Sequence, residues 1–266
     1  MDILAYVLAV FVGISLGLVG SGGSILTVPI LVMIMGIDAT LATAYSLFIV
    51  GTTALVGGIK SALEKRVELK TTLIFGVPSI IAVYFTRGFI LPQIPDSLII
   101  IGGLEITKSI LLMLIFAIVM IGSSYSMIRP LKKDLDLGFI PPVNYTLIFV
   151  QSIFIGFITG LVGAGGGFLI IPALILFAHI PMKKAIGTSL LIITTNSAIG
   201  FMSVLKSDYI IDWTLLSIFT TASVIGIFIG FKLSKKIAGE KLKKGFGYFI
   251  LLMGIYIILN EIFIKG

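Results

Sequence analysis

Gly17-Leu18-Val19-Gly20-Ser21-Gly22-Gly23-Ser24, running on through Ile25-Leu26-Thr27-Val28-Pro29, returns 143 residues later as Gly160-Leu161-Val162-Gly163-Ala164-Gly165-Gly166-Gly167 and Phe168-Leu169-Ile170-Ile171-Pro172. Phe11 to Ile34 aligns without a gap on Phe154 to Phe177, and eleven of the 24 positions are identical, five of them glycines and one a proline. Apolar segments match by chance at Leu and Val, not at a fixed set of glycines. The pattern therefore reads as an internal duplication, of the kind that transporter folds are built on. It continues more weakly, with Ser46-Leu47 on Ser189-Leu190, Thr52 on Thr195 and Gly57 on Gly200.

Around these loops the chain is too apolar for water. Of 266 residues 58% are hydrophobic and 12% charged, against about 25% charged in a soluble domain. Charge-free stretches such as Ile110 to Ile128 and Gly245 to Asn260 approach the ~20 residues that cross a bilayer as a helix. Their apolar runs are continuous, so helices and not a barrel are indicated. Ten segments follow: 3–18, 24–36, 40–59, 71–91 and 108–128, then 145–160, 167–179, 185–205, 213–232 and 245–263. The expected fold is an all-α integral membrane protein of two inverted-topology repeats, about five segments each, with glycine-broken short or re-entrant helices. Residues 1–128 form the first repeat, 129–144 a cytoplasmic linker and 145–266 the second repeat. The stretch 92–107, broken by Pro92, Pro95, Gly102 and Gly103, is expected to be an interfacial loop with room for one short helix. Met1-Asp2-Ile3 lacks the basic start of a cleaved signal peptide, so the first apolar stretch reads as retained.

Basic residues set the orientation. Fifteen of the 19 fall in loops that alternate to one face: Lys60, Lys65, Arg66, Lys70, Arg129, Lys132, Lys133, Lys183, Lys184, Lys232, Lys235, Lys236, Lys241, Lys243 and Lys244. That face is expected to be cytoplasmic, with both termini outside, and the net charge of +7 then has no bearing on nucleic acid. The first half enters from outside and the second from inside.

The apolar segment after each glycine loop is short, reaching only about 20 Å at 1.5 Å per residue against a ~30 Å core. Short or glycine-interrupted segments in matching positions point to a binding site. Glycine permits positive φ and close approach of a ligand. The helix start that follows offers unpaired N–H groups and the positive end of a dipole, which suit an anion. Gly20, Ser21, Gly22, Gly23 and Ser24 with Gly163, Ala164, Gly165, Gly166 and Gly167 are the expected substrate-binding residues, and two such loops could face one central anion. The pairs Gly13/Gly17 and Gly156/Gly160 read instead as helix-packing motifs. No Gly-Lys-Ser/Thr follows either loop, which excludes a P-loop.

No Asp or Glu falls in mid-span, so no carboxylate proton relay is visible. Arg87, near the outer end of its span, reads as a snorkelling cation, with attraction of anions as the lesser reading. Asn196, among Thr194, Thr195 and Ser197, together with Thr52 and Thr53 in the aligned stretch, joins the candidate site as neutral donors. Helix–helix hydrogen bonding is the competing account of Asn196, and bonding to their own helix that of the threonines. Ser46 and Ser189 are open to the same two accounts. His179, the sole histidine, reads as a loop residue. With no cysteine, no HExxH and no Ser/His/Asp set, neither a resident metal or cofactor nor an enzyme is expected.

Paired Gly-rich loops, each leading to Pro29 or Pro172, the duplication, the chain length and the small-polar third segments (Ala44-Tyr45-Ser46 and Gly187-Thr188-Ser189) together resemble the sulfite exporter TauE/SafE family. The resemblance implies a prokaryotic inner-membrane carrier of a small sulfur-containing anion such as sulfite or a sulfonate. It carries the loops at 20–24 and 163–167 over as the substrate region; Ser21 and Ser24 depart from an all-glycine run. The expected function is secondary transport by alternating access. An anion channel and a carrier of a non-sulfur organic anion are the alternatives. Expected partners are the anion, membrane lipid and a coupling ion, proton or sodium. Nothing in the sequence supports a homodimer.

Overall fold

The computed structural model describes residues 2–20, 22–95, 97–101, 104–128, 145–163, 165–205 and 211–263. The expected linker at 129–144, with Ser21 and Ala164 of the loops, lies outside the described residues.

Helix α1 (Asp2–Val19) ends at Gly20. Helix α2 (Gly22–Pro29) runs into a π turn (Ile30–Ile34), and α3 (Ala39–Leu63) follows. Helix α4 (Leu69–Phe85) passes through a second π turn (Thr86–Ile90) into the short α5 (Leu91–Gln93). After an antiparallel hairpin of β1 (Ser97–Ile101) and β2 (Leu104–Thr107) comes α6 (Lys108–Ile128). The second half holds α7 (Tyr145–Val162), α8 (Gly167–Leu176), α9 (Met182–Val204), α10 (Trp213–Ser234) and α11 (Gly239–Phe263). Among the described residues seven helices are long and apolar enough to cross a bilayer, and Leu4–Val19, Ile25–Ile34 and Gly167–Leu176 are shorter apolar helices. These are the ten segments read from the sequence. The hairpin is a departure from the expected loop. Its signal was present: β-branched runs on either side of Gly102-Gly103 are a two-residue hairpin pattern.

Large apolar side chains point outward along the helices, for example Ile81 and Leu252, 64% and 67% exposed. Contiguous apolar surface of that kind is stable against lipid and not in water.

The inner faces are cut for close approach. Helices α1 and α10 run side by side in the same direction: a methyl on Gly13 would strike the Ser223 carbonyl, and one on Gly17 the Ile227 carbonyl. Helices α7 and α4 do the same, with Gly156 on the Ser79 carbonyl and Gly160 on Thr86. The two GxxxG pairs are thus packing motifs, where small residues let backbones touch. Helices α3 and α9 lie antiparallel, Gly51 on Ser197 and Gly58 on Leu191, and α6 lies antiparallel to α11.

One end of the bundle is marked by charge. Lys184 pairs with Glu68 at 3.3 Å and Lys235 with Glu64 at 3.3 Å. Lys60 lies over the rings of Phe228 and Phe231, and Lys70 over Tyr145. Helices α3 and α10 therefore end here, while α4, α7 and α9 begin here. At the other end Tyr45 Oη accepts from the Asp212 amide at 2.8 Å. There Asp38 caps α3 through the Thr40 and Leu41 amides and accepts from Ser109 Oγ at 2.8 Å.

Candidate functional site

The backbone at both loops does what the glycines permit. Gly20, Gly163, Gly165 and Gly166 all sit at positive φ, between 63° and 75°, where a side chain would be strained. Gly166 is the left-handed residue immediately before α8, and no side chain caps that helix. The Gly166 carbonyl accepts the Leu169 and Ile170 amides; the amides ahead of them point out of the helix start.

Each loop is seated on the third helix of the other half. Gly20 lies against Ile186 and Ser189 of α9, and Ser189 Oγ donates to the Gly20 carbonyl at 3.3 Å. Gly163 lies against Thr43 of α3. Because α3 and α9 are antiparallel, with Gly187 against Ser61, these seats are at opposite ends of the pair. The stretch from Thr43 to Ser61 is about 27 Å of helix. The structure thus does not bring Gly20 and Gly163 to one point. It does bring α2 and α8 into contact, and it places Gly165 inward, beside Val50, Ile193 and Ser197.

Polar groups gather on the second loop. Arg87 is buried, 5% exposed, contrary to the snorkelling reading. The π turn at Thr86–Ile90 shifts the register of the helix and carries the guanidinium inward. There Nη2 donates to Thr43 Oγ1 at 2.9 Å and lies beside Gly163. Such π turns are frequent at functional sites. Thr159 of α7 is buried with its hydroxyl directly against Gly166, and the Ser197 hydroxyl would be 3.0 Å from a methyl on Gly165. Neither hydroxyl has a hydrogen-bond partner among the described residues, and the same holds for Ser46 Oγ and Asn196 Oδ1. Asn196 Nδ2 donates to Ser79 Oγ at 2.6 Å. Buried polar atoms are nearly always satisfied, so this group of orphans calls for an account.

The other predicted residues are placed differently. Thr195 is exposed and its hydroxyl returns to the Leu191 and Ile192 carbonyls of its own helix. Thr53 is buried but gives its hydroxyl to the Ile49 carbonyl at 2.6 Å, and Thr52 is half-buried on the same turn. Gly23 packs on Leu16, and the side chain of Ser24 lies outside the described residues. Thr159 and Thr43 were not foreseen. The only trace of Thr159 in the sequence is a hydroxyl where the aligned stretch has Leu16.

Among the described residues no group of three or more His, Cys, Asp or Glu side chains could hold a metal ion. A buried cation, neutral hydroxyls and helix-start amides are the equipment for holding an anion, and they supply no nucleophile with a base beside it.

Comparison with known proteins finds membrane transporters. Over 250 residues the chain is 27% identical to a probable membrane transporter protein of Xylella fastidiosa (strain 9a5c), covering 93% of this chain and 91% of that one. It is 27% identical over 269 residues to a probable membrane transporter protein of Methanocaldococcus jannaschii, covering 95% of each. It is 26% identical over 276 residues to the probable membrane transporter protein YunE of Bacillus subtilis (strain 168), covering 98% of this chain and all of that one. No solved structure matches it. The family model described as sulfite exporter TauE/SafE matches residues 5–257, and the chain belongs to that family of membrane transporters.

Proposed function

We propose that the protein is a secondary transporter that carries a small sulfur-containing anion, such as sulfite or a sulfonate, across the membrane by alternating access. The sulfur chemistry comes from the family description. The single observation that carries the anion is the buried Arg87 guanidinium beside Gly163, the first of the left-handed glycines between α7 and α8. The anion's hydration shell is replaced there by backbone amides and neutral donors.

Two inverted halves supply the moving parts. Exchanging each helix for its aligned counterpart turns the α1–α10 pair into α7–α4 and leaves α3–α9, α6–α11 and α2–α8 as pairs. A pseudo-two-fold axis in the membrane plane has this effect, and α7 starts at the charged end toward which α1 runs. With that end cytoplasmic by its lysines, both termini lie outside. One half rocks against the other around the anion, and a proton or sodium ion couples the movement.

Purified protein in liposomes tests this reading. Saturable sulfite counterflow, lost in Gly165→Val, is the expected result. A large unitary conductance without counterflow would make the protein a channel. No movement of sulfite, thiosulfate, sulfonates or carboxylates would remove the transporter reading.

A further inference from the structure

We infer that the two glycine loops are not equivalent, and that one oxyanion site is built on the second loop alone, by Arg87, Thr159, Ser197 and Asn196 around the start of α8. This rests on the transporter reading above and says where its anion sits.

Helix α8 is ten residues long and opens on Gly166 without a side-chain cap. Its first amides and positive dipole end are available to a ligand. Independent of the helix start, two fully buried hydroxyls bear on the glycines that precede it. Thr159 Oγ1 touches Gly166 and Ser197 Oγ faces Gly165, and both lack partners among the described residues. Asn196 adds an adjustable amide. Its bond to Ser79 Oγ survives turning the amide over, since Ser79 can donate to Oδ1, and the NH2 group is then free of that bond.

The first loop shares only the left-handed Gly20, since Gly22 and Gly23 are already helical in α2 where Gly165 and Gly166 are left-handed, and among the described residues it has none of this lining. Gly23 meets the Leu16 methyl where Gly166 meets Thr159. Ala54 stands where the second half has Ser197, and Thr53, its hydroxyl already given to Ile49, stands where it has Asn196. Ser189 spends its hydroxyl on the Gly20 and Ile186 carbonyls, while its counterpart Ser46 spends none. The helix contacts put Phe231 opposite Arg87: Ser79, Val83 and Thr86 occupy on α7 the places that Ser223, Ile227 and Gly230 occupy on α1. Among the described residues, the hydroxyls that face the second loop's glycines are left open and their counterparts at the first loop are spent or deleted, and that difference marks one site.

The ligand class follows from the donors. A guanidinium engages two oxygens of a planar or pyramidal face. Amides and hydroxyls on the far side engage a third. An anion with a three-oxygen face fits, as in sulfite, thiosulfate and the sulfonates; a carboxylate leaves one set of donors unmet.

The test is calorimetric titration of the purified full chain in detergent with sulfite, thiosulfate, methanesulfonate and acetate. Arg87→Gln and Thr159→Val should each weaken sulfite binding about tenfold or more, and Arg87→Lys less than Arg87→Gln. Thr27→Val, which removes a first-loop hydroxyl bonded to the Gly23 carbonyl, should bind as the wild type does. Acetate should bind most weakly. If Arg87→Gln does not fold, Thr159→Val and Ser197→Ala, which barely change side-chain volume, carry the test. Folded Thr159→Val and Ser197→Ala that bind sulfite like the wild type would overturn the site while leaving transport intact. A wild type that binds none of the probes and moves none in liposomes would remove the transporter reading itself.

Discussion

Arg87 Nη2 and Thr43 Oγ1 lie 2.9 Å apart, joining the π turn after α4 to the first turns of α3 in a bond between two buried side chains. The bond fixes where the guanidinium points and seats Gly163 between them. Thr43→Val keeps the shape and deletes the acceptor. Losing a buried partner of a charged donor costs about 1–3 kcal/mol, so the thermal midpoint should fall and sulfite affinity with it. A variant as stable as the wild type would show that Arg87 is held by other groups.

The glycines at helix crossings differ sharply in what replaces them. A methyl on Gly13 strikes the Ser223 carbonyl and one on Gly226 strikes the Val10 carbonyl, both backbone that cannot yield. Gly122 on α6 has nothing within 4 Å and is exposed. Gly13→Ala and Gly226→Ala should each destabilise by about 1–3 kcal/mol through overpacking, and Gly122→Ala by less than about 0.5 kcal/mol, as at other surface sites. Unfolding in detergent measures both. Equal effects would mean that α1 and α10 are not packed backbone to backbone.

His179 holds φ at 51° in the turn after α8, where the aligned turn after α2 has Gly36 at 70°. In both turns the next amide reaches back six residues, Ile37 to the Leu31 carbonyl at 3.0 Å and Ile180 to Leu174 at 3.2 Å. The left-handed region costs a residue with a Cβ about 1 kcal/mol. His179→Gly should therefore raise stability by about that amount, read from the unfolding midpoint, without altering sulfite binding. A less stable variant would mean that the imidazole makes contacts outweighing the strain.

Asp38 lies at the end of the bundle opposite the lysines. Burial pushes its carboxyl up, but hydrogen bonds from Ser109 and from the Thr40 and Leu41 amides together outweigh that and leave it below its ordinary value. A depressed carboxyl stabilises the fold above its unfolded value of about 4, and the stabilisation is lost as pH falls through the folded value. Asp38→Asn should be less stable than wild type by about 1 kcal/mol at pH 7, the usual worth of a cap, and the gap should close as pH falls through the lowered folded value. A gap independent of pH would assign the loss to shape and not to charge.

The ion pairs Glu64–Lys235 and Glu68–Lys184 join the two halves at the basic end. They are half-exposed, so each contributes at most about 1 kcal/mol, but they bear directly on opening at that end. The chain has no cysteine, which makes a single introduced thiol a clean probe. Ser61 is buried just behind these pairs, beside Gly187. Labelling of Ser61→Cys by a membrane-impermeant reagent should rise several-fold in Glu64→Gln/Glu68→Gln, and in wild-type background as salt rises. Unchanged labelling would mean that this face does not open through those pairs.

The sequence carried the architecture well because its strongest signals are local. The ten apolar segments, the glycines at positive φ and the packing role of Gly13, Gly17, Gly156 and Gly160 all follow from composition and spacing. The hairpin at Ser97–Thr107 was missed although Gly102-Gly103 announced it, since apolar content outweighed the turn signal. The polar lining was much less legible. Arg87 lies close enough to a span end to reach water, and only the π turn, which has no sequence mark, turns it inward. Thr159 and Thr195 look alike in sequence; one faces Gly166 and the other is exposed on the outside of its helix, a difference of helix azimuth that neighbours decide. The seating of Gly20 and Gly163 at opposite ends of the α3–α9 pair likewise depends on how α3 crosses α9.

Selenite has the three-oxygen pyramidal shape of sulfite and scatters X-rays anomalously. A crystal of the protein with selenite should show one anomalous peak within hydrogen-bonding distance of the Gly166–Gly167 backbone and the Arg87 guanidinium, with none at Gly20–Gly23. A peak at the first loop, or one away from both loops, would contradict the account.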